Sequence, residues 1–252
     1  MNPLEALRWI ARLEEEDPQA VALSALESLG ELGERPELLY VAVRQLLLAQ
    51  PRNGGLWSVG NRLLLALDRH EEARLLRREI SRDSTLAELR AMANAGVTLY
   101  LLDVDRAYRA IAGRRGSERA VYYDPSLGAQ RLLSRAHAGG ECALVIEPWS
   151  FSDGGAIISR ERMQLAERAV LSGIGVVCRV PDGFELPARL FEAQTHLLAR
   201  ETDGCAEDPE AECLADLYGL PTFRANPEMV TYLFGANRGR YTGAVAEELL
   251  AL

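Results

Sequence analysis

Four carboxylate side chains in the second half of this sequence follow apolar runs that are typical of β-strands. The runs are residues 97–102, 120–123 and 143–146, and the acids that follow them are Asp103, Asp105, Asp124 and Glu147. Because ligands bind outside the carboxyl ends of parallel strands, these acids could share or transfer a proton or bind a divalent cation. A second interpretation stays open, in which each acid caps the helix that follows its strand.

Arginine supplies all of the positive charge in the chain, because none of the 28 cationic residues is a lysine. The composition excludes a Schiff-base lysine and the lysine of a phosphate-binding P-loop. Arg106, Arg131 and Arg179 fall near the same strand ends, where guanidinium groups could bind an anionic ligand. The sequence has no Gly-x-Ser-x-Gly elbow, and no Ser/His/Asp set can be nominated from it.

The spacing of apolar residues divides the chain into two regions. Up to about residue 95, apolar residues recur at helical spacing between short breaks, which predicts antiparallel helices. From Gly96 onward, short apolar runs alternate with helical patterns, which predicts a parallel sheet with helices on both faces. We therefore predict an α/β fold with a helical domain over residues 1–95 and a sheet domain over residues 96–252.

Local signals predict several single elements. Residues 143–181 are typical of a strand, a loop, a helix and a second strand, with Gly173 ending the helix. Three further predictions are an N-cap at Ser84, a short strand at residues 222–223, and a helix over about residues 228–234 that begins at residues 226–227.

The composition indicates which partners and which cellular compartment to expect. The net charge of −9 argues against broad nucleic-acid binding, which depends on neutralising phosphates. No apolar run approaches the roughly 20 residues of a membrane span, and the N-terminus lacks the pattern of a signal peptide. We expect a cytoplasmic protein with no membrane partner. Four cysteines without a CxxC pair and three scattered histidines lead us to expect no metal site and no cofactor.

Several segments resemble the translation initiation factor 2B alpha/beta/delta family. The core of that family has an apolar strand followed by Gly-Ala-Asp, an Asn/Asp-Gly turn, a helix and a strand of the pattern GIPVYV. Residues 143–181 resemble this core, with the turn at residues 153–157 and the last strand at residues 173–178. Three weaker matches are residues 50–62 to the RPT…PLxN stretch, residues 123–126 to the ESRP loop, and residues 221–231 to the segment FDVTPPELIT.

The resemblance implies a helical domain followed by a Rossmann-like domain through which members dimerise. Members are regulatory subunits or isomerases of 5-methylthioribose 1-phosphate or ribose 1,5-bisphosphate, and the isomerases use one Cys and one Asp. This chain departs from that pattern where the chemistry occurs. Asp103 to Asp105 stand near the place of the catalytic Cys, and Glu147 stands at the place of the acid. The chain is also shorter than the family pattern by one strand–helix unit, so the isomerase chemistry does not transfer residue by residue.

Three hypotheses follow from these patterns. The first is a divergent, non-catalytic member of the family, a homodimer that binds a phosphorylated small molecule or a partner protein at the strand ends. Its expected ligand contacts are Arg52, Asp124, Ser126 and Arg131. The second is an aldose–ketose sugar-phosphate isomerase, with an acid/base pair drawn from Asp103, Asp105 and Glu147. The third is an interaction module in which the strand-end acids are only caps.

Overall fold

Helices make up the first part of the chain, as the apolar spacing predicts. The structure, a computed structural model, describes residues 2–13, 17–102, 111, 119–123, 134, 140–153, 155–202, 214–215 and 229–252. The described helices before the first strand are α1 (Pro3–Ile10), α2 (Pro18–Glu31), α3 (Pro36–Ala49), α4 (Gly54–Leu65), α5 (Arg69–Ser81) and α6 (Thr85–Asn94). Proline begins α1, α2 and α3, where its missing N–H costs no helical hydrogen bond. No helix in these ranges is both long and apolar enough to cross a membrane.

Strands dominate the second part. In chain order they are β1 (Thr98–Leu102), β2 (Ala120–Tyr123), β3 (Cys142–Ile146), β4 (Ser150–Ser152), β5 (Gly155–Ile157), β6 (Gly175–Val180), β7 (Leu214–Ala215) and β8 (Val230–Phe234). The order in the main sheet is β2, β1, β3, β6, β8, and every pairing in it is parallel. Strands β4, β5 and β7 form a small antiparallel sheet. Two more helices are α7 (Arg160–Leu171) and α8 (Ala188–Thr202).

Both faces of the main sheet are covered, which confirms the predicted α/β fold. Successive side chains of a strand point to opposite faces, so β3 and β6 each contribute to two clusters. The cluster on one face includes Leu144, Ile146, Val176, Cys178 and, from α7, Ala166 and Ala169. The cluster on the other face includes Ala143, Val145, Val177, Leu233 and, from α6, Leu89 and Ala93.

The structure differs from two local predictions, one for residues 228–234 and one for the segment after β3. The helix predicted over residues 228–234 is wrong, because Val230–Phe234 is β8 and pairs with β6. Its β-branched and aromatic residues suit a pleated surface, and helical spacing is ambiguous in so short a run. The segment predicted as a loop after β3 contains the β4–β5 hairpin. The strand predicted at residues 222–223 lies outside the described residues.

A third apolar cluster joins the N-terminal helices to later parts of the chain. It contains buried residues of α1 to α5 together with Leu190 of α8 and Leu249 near the C-terminus. Trp57 belongs to this cluster and is fully buried, and its indole N–H donates to the Pro51 carbonyl over 2.9 Å. The division of the chain at residue 95 therefore stays a prediction, since one core draws on both sides of it.

The first turn of α4 lies directly against the segment that follows β3. The Gly54 N–H donates to the Trp149 carbonyl over 2.9 Å. A Cβ atom at Gly54 would lie 2.6 Å from that carbonyl oxygen and 2.6 Å from the Ser150 Cβ atom. Only glycine therefore permits this approach of the helical region to the end of β3.

We expect Gly54→Ala to lower the free energy of unfolding by about 1–3 kcal/mol, because backbone atoms on both sides must move apart. Urea unfolding followed by circular dichroism measures this change. The matched control is Gly243→Ala, where an added Cβ has no atom within 4 Å. Equal stability of Gly54→Ala and the native chain would contradict the close approach.

Candidate functional site

The strand order reverses between β1 and β3, and such a switch point is where ligands bind in open parallel sheets. The chain runs from β1 to β2 on one side and then returns to place β3 on the other side of β1. Glu147 directly follows β3 at this edge, which we call the carboxyl edge. Asp103 directly follows β1 in the sequence but lies outside the described residues.

Arg179 of β6 is buried beside Glu147. The β3–β6 register pairs Ile146 with Cys178, so its continuation places Glu147 next to Arg179 on the face that α6 covers. One terminal nitrogen of Arg179 bonds to the Glu147 carboxylate, and the other bonds to the carboxylate of Asp83. The Arg179 Nε donates to Thr85 Oγ1 over 2.8 Å. Only 1% of the Arg179 side chain is exposed. Its three nitrogens therefore depend on these protein partners, because water cannot replace them.

The N-terminus of α6 presents two of these partners. Asp83 Oδ1 accepts hydrogen bonds from the Thr85 N–H over 3.1 Å and from the Thr85 hydroxyl over 2.5 Å. Ser84 occupies the N-cap position, as predicted, but its hydroxyl makes no capping bond. It accepts instead from the N–H of Ala236, just after β8, over 3.0 Å. Asp83 thus orders the start of α6 and neutralises Arg179 at the same time.

The network carries one positive and two negative charges. Burial tends to lower the pKa of Arg179, but the two carboxylates more than offset this and raise it. Burial also raises the pKa of Glu147, assisted by the charges of Asp17 and Asp83 and opposed by Arg179. The Glu147 side chain is still 15% exposed, so it can exchange a proton with solvent. A raised pKa and access to solvent are two of the properties that a general acid or base needs, but the bond to Arg179 opposes the release of this carboxylate for such a role.

Arg52 reaches the same edge from the link between α3 and α4. Its guanidinium lies 4.9 Å from the centre of the Trp149 ring, two residues beyond Glu147. Gln194 of α8 fixes this link by donating to the carbonyls of Pro51 over 2.8 Å and Arg52 over 3.3 Å. The Gln194 side chain also accepts from the Ser150 hydroxyl over 2.7 Å. Both Gln194 and Ser150 are fully buried.

The last part of the chain crosses the same edge. Asp182, just after β6, accepts from the N–H and from the side-chain amide of Asn237, each over 2.9 Å. Arg238 lies 4.0 Å over the Phe234 ring and bonds to Glu185 over 2.6 Å and to Asp153 over 2.8 Å. Residues after β8 therefore connect the end of β6 to the β4–β5 hairpin.

The predicted site residues that the structure describes are Arg52, Glu147 and Arg179. Arg52 and Glu147 lie at the same edge, because the Arg52 guanidinium packs against the ring of Trp149, two residues after Glu147. Arg179, expected to contact an anionic ligand, instead neutralises carboxylates of the protein. The residues that lie outside the described parts are Asp103, Asp105, Arg106, Asp124, Ser126 and Arg131.

Sequence reasoning missed four residues that shape the edge: Asp83, Thr85, Ser150 and Gln194. Asp83 and Thr85 flank the predicted cap Ser84, and an Asp two residues before Thr at a helix start is a signal that could have indicated them. Ser150 and Gln194 carry no local signal, because their pairing joins residues 44 positions apart.

Comparison with known proteins finds similarity in the fold. No protein-family model matches the chain, and no curated relative was found. Among solved structures, the tetrameric eIF2B-beta2-delta2 complex from C. thermophilum matches with a TM-score of 0.50 and 11% identity, over 73% of this chain and 78% of that chain. The translation initiation factor eIF-2B of Pyrococcus horikoshii OT3 matches with a TM-score of 0.50 and 14% identity, over 73% and 79%. The chain therefore has an eIF2B-like fold, in agreement with the resemblance of its sequence.

We expect Arg179→Met to lower the free energy of unfolding by about 3–5 kcal/mol at pH 7, because it leaves two acids at the edge of the core without a cation. The triple variant Asp83→Asn, Glu147→Gln, Arg179→Met should recover most of this loss, since no uncompensated charge remains. Arg77→Met is the control, because the Arg77–Glu27 pair is exposed. Native-like stability of Arg179→Met alone would contradict the network.

The raised pKa of Glu147 predicts a dependence of stability on pH. The folded state favours the protonated carboxyl of Glu147. The contribution of this group to the free energy of unfolding is therefore fully present below the unfolded pKa of about 4.3, and it is lost as the pH rises through the folded pKa. Glu147→Gln resembles the protonated form and should lack this loss. Urea unfolding at several pH values between about 4 and 7 measures this effect. The free energy of unfolding of the variant should rise relative to that of the native chain as the pH increases. A constant difference across this range would refute the prediction.

Proposed function

We propose that this chain is a non-catalytic binding protein with an eIF2B-like fold, and that its ligand is a phosphorylated small molecule bound at the carboxyl edge. The observation that carries the proposal is the state of Glu147, the acid at the switch point. Its carboxylate is bonded to Arg179 within a network that stabilises the junction of β3, β6 and α6. A residue committed to the fold in this way is a poor candidate for a proton shuttle.

The cation at the edge supports the choice of ligand. Arg52 lies over Trp149, and the buried Gln194 fixes the backbone on which Arg52 sits. A pre-positioned guanidinium suits a phosphate group, which it can bind with two parallel hydrogen bonds. Arg131, Ser126 and Asp124 stay proposed ligand contacts, on the strength of their places in the sequence. A homodimer in the cytoplasm likewise stays part of the proposal.

Ligand-dependent thermal stability tests this proposal. A ligand at 100 times its Kd adds about 2.7 kcal/mol, which for a chain of this size raises Tm by roughly 5–10 °C. The screen should include ribose 5-phosphate, ribose 1,5-bisphosphate and adenosine monophosphate, with ribose and inorganic phosphate as comparisons. We expect Arg52→Ala and Arg131→Ala to lose the shift.

Arg74→Ala is the matched control, because its side chain is 78% exposed on α5. A shift of equal size in the Arg52→Ala, Arg131→Ala and native proteins would place the ligand elsewhere. A blank screen would reject the small-molecule ligand and favour a partner protein. The solved structures support that alternative in one respect, since one of them is a complex of eIF2B subunits.

A specific observation favours a second candidate, an aldose–ketose isomerase of a ribose 1-phosphate derivative. Glu147 combines a raised pKa with a side chain that solvent can reach. Moving a proton between adjacent sugar carbons requires such a group, and Asp103 or Asp105 would complete the pair.

Turnover separates the two candidates. The native chain is incubated with ribose 1,5-bisphosphate or 5-methylthioribose 1-phosphate, and ketose formation is followed by NMR. An isomerase should lose turnover in Glu147→Gln or Asp103→Asn while keeping the thermal shift. Binding without turnover of either sugar would support the non-catalytic proposal.

A further inference from the structure

Residues 235–252, which we call the C-terminal segment, cross the protein after β8 and contain little regular structure. The regular elements in this segment are two short 3-10 helices, Arg238–Arg240 and Glu247–Ala251. Its side chains Tyr241, Ala246 and Leu249 are at most 3% exposed and belong to the apolar cluster of the N-terminal helices. The position of the segment therefore depends on contacts with the rest of the chain.

Two buried acids in the link between β6 and α8 take their partners from this segment. Asp182 and Glu185 are each 3% exposed. Both carboxylate oxygens of Asp182 accept from Asn237, and Oε1 of Glu185 accepts from Arg238. Glu185 Oε2 is buried and has no hydrogen-bond partner among the described residues. Closure thus removes one carboxylate oxygen from water without replacing its hydrogen bonds, which reduces the free-energy advantage of the closed form.

Glu79 of α5 is a third buried acid that faces the segment. Glu79 is 6% exposed, and its carboxylate accepts from Arg240 and, over 3.0 Å, from the Tyr241 hydroxyl. Arg62 of α4 donates to the same carboxylate over 2.8 Å, and its guanidinium lies 5.1 Å from the centre of the Tyr241 ring. Residues 237–241 therefore supply partners to three buried carboxylates from two separate parts of the chain.

Asn61 of α4 binds the second half of the segment through its backbone. The Asn61 side-chain nitrogen donates to the Ala244 carbonyl over 2.9 Å, and its oxygen accepts from the Ala246 N–H over 2.7 Å. Asn61 is itself 3% exposed, so water competes little for these bonds. Gly243 lies between this contact and Tyr241, and an added Cβ atom there would have no atom within 4 Å. The two halves of the segment are therefore joined by a glycine with open space around it.

The buried acids favour complete opening of the segment over partial opening. A buried carboxylate that loses its partner stays uncompensated until water reaches it. The residues that bond to Glu79, Asp182 and Glu185 lie within five consecutive positions, so their departure together exchanges these bonds for bonds to water. Departure of a single side chain removes a partner without admitting water to the same extent. Unfavourable intermediates of this kind leave two populated states, closed and open.

We propose that the C-terminal segment is a conformational switch that opens and closes as one unit, held closed by its bonds to Glu79, Asp182 and Glu185. The open form is a minor state, because Tyr241 and Leu249 lose their burial when the segment leaves. The switch goes beyond the proposed ligand function and does not rest on it, since opening is a property of the free chain.

Opening of the segment changes the carboxyl edge. In the closed form the Ala236 N–H donates over 3.0 Å to the hydroxyl of Ser84, which directly follows Asp83 of the buried charge network. Arg238 bonds at the same time to Asp153 in the turn between β4 and β5, over 2.8 Å. The open form loses both contacts, so the state of the segment determines how firmly the start of α6 and the hairpin are held at this edge.

Hydrogen exchange of the full chain, followed by NMR at low urea concentrations, measures this opening. The amides of Asn237, Tyr241, Ala246 and Leu249 donate hydrogen bonds and span the segment. We expect all four to share one opening free energy, lower than that of the β6 amides, because the segment opens without global unfolding. Opening free energies that increase stepwise from Leu249 to Asn237 would show that the contacts break one by one. Values equal to those of the β6 amides would make the segment part of global unfolding, and either result would overturn the proposal.

A substitution at Glu79 tests whether the two halves open together. Glu79→Gln should raise the exchange rates of the Ala246 and Leu249 amides about 10- to 100-fold, because it weakens the charged hydrogen bonds that keep the unit closed. Neither residue bonds to Glu79, so a change there requires cooperative opening. Glu71→Gln is the matched control on the same helix, since the Glu71 side chain is 58% exposed, and it should leave both rates unchanged. Native exchange rates at Ala246 and Leu249 in Glu79→Gln would contradict a single opening unit.

Asn61→Ala makes the converse test and also serves if Glu79→Gln does not fold. The substitution removes two hydrogen bonds from the second half and should raise the exchange rate of the distant Asn237 amide about 5- to 100-fold. An increase confined to Ala246 and its neighbours would show that the halves open separately, which would overturn the proposal. Since these measurements include no ligand, their failure is distinguishable from failure of the proposed ligand function.

Discussion

The buried guanidinium of Arg179 is the constraint on which the junction of sheet and helices depends. A cation removed from water must be neutralised and hydrogen-bonded, and three separate elements supply its partners. Glu147 comes from the end of β3, Asp83 from the turn before α6, and Thr85 from the first turn of α6. Since each partner fixes one direction of the planar guanidinium, the network determines how β3, β6 and α6 meet. An apolar side chain at position 179 would give no such directional restraint.

A second set of polar contacts fixes the helical region against the sheet. Gln194 bridges Pro51 and Ser150 in the core, and Gly54 bonds directly to Trp149. At the opposite side, the segment after β8 returns to the helices. Buried Glu79 of α5 bonds there to Arg240 and accepts from the Tyr241 hydroxyl over 3.0 Å, which contributes to a raised Tyr241 pKa that burial mainly causes. Contacts far apart in sequence thus lock the position of Arg52 relative to the carboxyl edge.

The carboxyl edge lies on this scaffold. It combines Glu147, Trp149 and Arg52, and the Arg52 guanidinium is held 4.9 Å from the centre of the Trp149 ring. The Glu147 side chain is 15% exposed there, although its carboxylate is bonded to the buried Arg179. The anionic ligand that we propose is assigned to this edge because buried contacts fix the backbone of Arg52.

The sequence by itself determined the fold class and most of the helices and strands. Helical spacing with Pro at helix starts, and apolar runs followed by polar residues, are local signals that survive in the folded chain. They placed Glu147 at a strand end and Arg52 at a helix break. The tertiary structure alone decided that Val230–Phe234 is a strand, because pairing with β6 outweighs its weak local preference. It also decided that Arg179 neutralises Asp83 and Glu147, since partners 96 and 32 residues away have no signature in the local sequence.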